Sequence, residues 1–150
     1  MDRTVPPVIK QATDFTIELP ACETHKLTDK NSLYAVNMGT QEVVSFEIYI
    51  PKLLQSQKEV VISKAVAGLM KSGTSKYTAL QINEQVEQLG ASFGVSQNND
   101  FLIIKIQGLS KHLAKLLPLM FEVIQDAQFP AEELEIYRQQ SLQHMAVNLK

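Results

Sequence analysis

Between residues 42 and 71 the apolar residues switch from strict alternation to a helical spacing, and that switch constrains the fold more than any other feature of the chain. Val44, Phe46, Ile48 and Ile50 fall on one face of 42–50, opposite Ser45, Glu47 and Tyr49, which is the period of a half-buried strand. Pro51 ends that strand. Ile62, Ala65, Val66 and Leu69 then recur at i, i+3, i+4 and i+7, so 58–71 is predicted to be an amphipathic helix, with Gly73 where a helix would terminate.

The rest of the chain alternates in the same two modes. Phe15, Ile17 and Leu19 alternate with polar residues up to Pro20, and His25 to Leu27 leads into a polar reversal at Thr28, Asp29, Lys30 and Asn31, followed by a strand over 33–38. Thr78 and Gln81 form a capping box ahead of a helix carrying Ile82, Val86 and Leu89, closed by Gly90 at C′. Strands over 91–97 and 101–107 flank Asn98, Asn99 and Asp100, a hairpin turn. Ser110 is positioned to cap a long helix through Leu113, Leu116, Leu117, Met120 and Ile124, in which Pro118 predicts a kink or local break. Pro130 opens a last helix with Glu132, Glu133 and Glu135 near its start, where negative charge suits the helix dipole better than acid–base chemistry. That helix has no stop signal before Lys150, so the chain is expected to be cut within its last helix.

The resulting order, β-β-β-β-α-α-β-β-α-α, gives an α+β domain with a mostly antiparallel sheet and helices packed on one face. Residues 1–13, with Pro6 and Pro7, read as an extended arm, and 14–150 as one domain. A chain of 150 residues is long enough for one real core. Composition then excludes several classes of function. Net charge is −2 without a basic cluster, which removes the footprint of a nucleic-acid binder. Lys, Glu or Gln interrupts every long apolar stretch, so no transmembrane helix is expected, and the N-terminus lacks the apolar core of a signal peptide. A lone cysteine, Cys22, fits a reducing cytoplasm and reads as a bystander near a strand end.

Three stretches carry a family resemblance. Lys71 through Thr78 (KSGTSKYT), Gln81 through Phe93 (QINEQVEQLGASF), and Leu109 to Leu113 with Phe129 to Glu135 resemble the insulinase-type M16 zinc peptidases, in which a metal-binding helix runs into a Gly-Thr turn and then a helix ending in Leu-Gly-Ala. The segments Pro6 to Lys10, Asp14 with Phe15, and Tyr34 to Gly39 are similar to the start of bacterial two-subunit members. The resemblance implies the N-terminal half-domain of a LuxS/MPP-like metallohydrolase fold.

The family's chemistry needs His-x-x-Glu-His on the helix before the Gly-Thr turn. There the histidines hold Zn²⁺ and the glutamate activates its water. Counted back from Gly73 and Thr74, the matching positions are Lys64, Ala67 and Gly68: an ammonium, a methyl group and no side chain. A third family ligand is a later glutamate, and near that place the chain reads Gln143 and His144, with no glutamate after Glu135. No catalytic residue, cofactor or metal ligand is therefore expected. His25, His112 and His144 have no mutual ligand spacing and read as surface or capping residues. Lys64 could in principle act as a catalytic lysine, but the reading taken is a solvated lysine on a helix flank. Gly68 costs a helix about 1 kcal/mol relative to alanine, which calls for the close approach of another element, for fraying, or for a functional reason.

By resemblance, this is a non-catalytic subunit forming one wall of a chamber that encloses an unfolded peptide, with an active zinc-bearing M16 subunit as partner. The other readings are an assembly scaffold of the same fold and a metallopeptidase with atypical ligands. Self-association through exposed apolar surface is a further expectation.

Overall fold

The computed structural model describes residues 18–39, 41–53 and 56–148. The predicted arm at 1–13 and most of the strand at 15–19 lie outside the described residues. The chain divides into two compact units, Met1–Gln41 and Glu42–Lys150.

In the first unit, β1 (Cys22–Lys26) pairs antiparallel with β2 (Ser32–Val36), Cys22 opposite Val36 and Lys26 opposite Ser32. The turn forms where the polar residues predict it. Leu27 and Thr28 donate main-chain N–H groups to the Asn31 carbonyl, and the Thr28 hydroxyl accepts from Lys30 and Asn31. Leu27, Tyr34, Val36 and Met38 are exposed.

In the second unit, β3 (Val43–Pro51), β4 (Ser92–Gln97) and β5 (Phe101–Leu109) form an antiparallel sheet in the order β3-β5-β4. Register puts Phe46 and Phe93 opposite Ile106, and Ile48 and Val95 opposite Ile104, so these residues share one face. On that face lie α1 (Gln57–Leu69), α2 (Ala79–Gln88) and α3 (Leu113–Asp126), which supply Met70 just beyond α1, Ile82 and Val86, and Leu116, Leu119, Met120 and Val123 to one core with Phe93, Ile104 and Ile106. The expected α+β class, with helices on one face of an antiparallel sheet, is what forms. The opposite face is polar at its centre: the Glu47 carboxylate accepts from Lys105 at 2.8 Å and from the Tyr49 hydroxyl at 2.6 Å. These partners, Lys105 foremost, hold Glu47 below the usual carboxylate range.

The starts of α1 and α2 are built by reciprocal capping. Thr78 and Gln81 form the predicted box, and Ser56 with Glu59 forms a second at the start of α1, signalled by Ser-x-x-Glu in the sequence. Gly90 takes a positive φ of 60° after α2. One local expectation fails. Ser110 does not cap α3; a 3₁₀ turn, Ser110–His112, comes first, and Ser110 N–H donates to the Glu42 carbonyl. Of the kink or break expected at Pro118, no break forms: α3 is continuous around it, and side chains on both sides of the proline, anchored in the core, offset one missing hydrogen bond. The last helix, α4 (Ala131–Asn148), begins with Leu134 N–H bonded to the Pro130 carbonyl.

Candidate functional site

The positions that resemblance assigns to metal chemistry lie on the last two turns of α1. The helix is fixed at its start by the Ser56 box and along its flank by Lys52, whose ammonium donates to Ser63 Oγ at 3.0 Å, to the Asn98 carbonyl and to Gln97 Oε1. It is fixed at its end by Lys71, which donates to the Phe93 carbonyl at 2.7 Å and sits 5.6 Å from the Phe93 ring centroid.

After α1 comes the Gly-Thr turn. Gly73 has φ 143°, a conformation a side chain disfavours, and it forms an antiparallel bridge with Thr78. The largely buried Thr74 hydroxyl accepts from the N–H groups of Lys76 and Tyr77, which locks the reversal. Two more elements hold the turn. Gln128 N–H donates to the Gly73 carbonyl at 2.8 Å. The Asp126 carboxylate accepts from Ser75 N–H at 2.9 Å and from the Ser75 hydroxyl, and these bonds hold Asp126 below its ordinary value. Lys76 pairs with Glu122 at 2.7 Å. A pocket of about 270 Å³ opens beside this turn, lined by Lys76, Gln81, Gln128 and Pro130 among others, but none of the three family positions lines it.

Those three positions carry no metal-binding chemistry. Lys64 is exposed, Ala67 is buried and Gly68 presents only backbone. The reason for Gly68 was not legible in the sequence. A Cβ built on it would stand 2.7 Å from Cε2 and 3.2 Å from Cδ2 of Tyr137 on α4, closer than side chains tolerate. Of the explanations open from sequence, the close approach of another element is the one found. Tyr137 is half-buried, and beside it the Glu135 carboxylate accepts from Arg138 Nη2 at 2.6 Å and from Gln139 at 3.1 Å, which takes Glu135 down to about 2.

Gln143 and His144 lie on the exposed part of α4, while His25 is exposed beside Glu23 and His112 occupies the residue before α3 without a side-chain cap bond. Cys22 is exposed at the first residue of β1. Among the described residues no three His, Cys, Asp or Glu side chains converge into a metal-binding group. The donor set at the family positions therefore does not fit zinc. Among the described residues, no helix is long and apolar enough to cross a membrane.

The fold has solved counterparts. The chain is similar to the peptidase M16 inactive domain from Pseudomonas fluorescens, with TM-score 0.70 and 20% identity over 80% of this chain. It is also similar to a protease from Helicobacter pylori, with TM-score 0.68 and 20% identity over 81% of this chain. It spans only 30% of the length of either structure. No curated protein matches the sequence. The family model for insulinase, peptidase family M16, matches residues 62–149, a span that starts within α1 and takes in the Gly-Thr turn, the whole core and α4. The chain belongs to the insulinase family of peptidases, M16.

Proposed function

We propose that the chain is the N-terminal part of a non-catalytic M16 subunit that forms one wall of a peptide-enclosing chamber, with zinc and hydrolysis supplied by an active M16 partner. The observation that carries this reading is the chemistry of α1: where the active site of the family needs two imidazoles and a carboxylate, the helix offers Lys64, Ala67 and Gly68. A cation repels the metal, and the other two have nothing to donate. The fold is shared with an inactive M16 domain, which agrees with the reading. Peptide contact would fall to the sheet, whose outer strands β3 and β4 each have one neighbour among the described residues, the arrangement that lets an extended chain add by main-chain hydrogen bonding.

The test has two parts. Metal analysis of the purified chain after zinc loading is expected to find no zinc above the blank; one equivalent held by the chain sinks the reading. Co-expression with a His-x-x-Glu-His M16 subunit of the same organism is expected to raise that subunit's cleavage of an unfolded peptide. Co-assembly without any change in cleavage would instead identify a scaffold.

A further inference from the structure

We infer that the family's metal position has not merely lost its ligands: Tyr137 fills it, and Gly68 has become the seat of an α1–α4 contact that excludes any side chain there. This rests on the non-catalytic reading and extends it. Gly68 is not among the glycines with positive φ, so its backbone would accept any L-residue. Gly68 is exposed on its open side, but Tyr137 Cε2 and Cδ2 stand 2.7 and 3.2 Å from where a Cβ would begin, so any side chain there needs the ring to move. A histidine at 68 has to pass through that point before its imidazole can reach anything.

The ring cannot yield easily. A tyrosine side chain has two rotatable bonds and moves as a rigid plate, and Tyr137 is one of only two described α4 residues, with Ser141, that are half-buried and not exposed. They lie four residues apart, on one face of the helix, which marks the side on which α4 meets α1. Displacing the ring therefore disturbs the docking of α4. A restored ligand set and the present helix packing compete for the same volume, and the packing holds it.

The experiment restores the ligands with and without the ring. One full-length variant carries Lys64→His, Ala67→Glu, Gly68→His and Gln143→Glu, and a second adds Tyr137→Ala. Zn²⁺ titration, with Co²⁺ absorption reporting coordination, is expected to show the first binding no better than the unmodified chain and the second about tenfold or more tighter. Equal binding by the two, whether strong or absent, overturns the inference. Zinc on the unmodified chain would sink the non-catalytic reading instead, so the two failures are distinguishable. Should either restored variant not fold, a smaller pair decides. Gly68→Ala is expected to lower the melting temperature in the native background and not in the Tyr137→Ala background; equal lowering in both overturns the inference.

Discussion

Helices α3 and α4 follow one another in the chain and do opposite work. In α3, Leu116, Leu119, Met120 and Val123 are buried against the sheet, and their spacing holds a proline inside the helix without a break. In α4, Leu134, Ile136, Leu142, Met145 and Val147 are all exposed, and among the described residues only Tyr137 and Ser141 are half-buried. One helix is held by a core. The other is held by a narrow seam along α1. The difference teaches that position 68 on α1 is shaped by the less buried of the two helices, since it is Tyr137 on α4 that stands where a Cβ at 68 would go.

The contrast can be broken or sharpened by substitution. Met120→Ala removes a side chain that is 0% exposed and should destabilise the protein by about 2–5 kcal/mol in denaturant unfolding; a loss below about 1 kcal/mol would mean that α3 is not the core helix described. Ser56→Ala removes one arm of the box that starts α1 and should destabilise by about 1 kcal/mol, with faster amide exchange in the first turn of α1 as the local sign. Leu142→Ala on α4, where the side chain is 54% exposed, should stay within about 0.5 kcal/mol of the unmodified protein; a larger loss would show that α4 buries more than Tyr137.

The smallest effect is expected from acid. Glu135 is held at about 2, chiefly by Arg138, so folding favours its ionised form. The resulting stabilisation is complete above the ordinary value of 4.5 and drains away as pH falls toward 2. Because the pair is exposed, the loss should be small and confined to exchange protection of α4. Unchanged α4 protection across that window would show that the ion pair contributes nothing to the helix.

Much of the second unit was legible because two periods and a few turn residues dictate it. Alternation in β3, the capping box at Thr78 and the turn at Asn98 each act over a handful of residues, and each forms as expected. Ser56 with Glu59 carries the same kind of signal as Thr78 with Gln81, and both boxes form. Ser110 does not cap α3 and Pro118 does not interrupt it, because tertiary contacts, a bond to Glu42 and burial on both sides of the proline, outweigh local preference. That the family positions on α1 carry no imidazole or carboxylate is readable by residue type alone. What fills one of them is not, since Tyr137 and Gly68 are distant in sequence and nothing in either segment announces the other.

The sheet order has a kinetic consequence. β4 and β5 are joined by Asn98, Asn99 and Asp100, whereas β3 reaches β5 only after the chain has passed through α1, α2 and β4. Closing that long loop costs entropy before any contact repays it. The β4–β5 hairpin should therefore be formed at the folding barrier, with β3 docking afterwards. Truncating Phe46 on β3 would then speed unfolding, while truncating Val95 on β4 would slow folding.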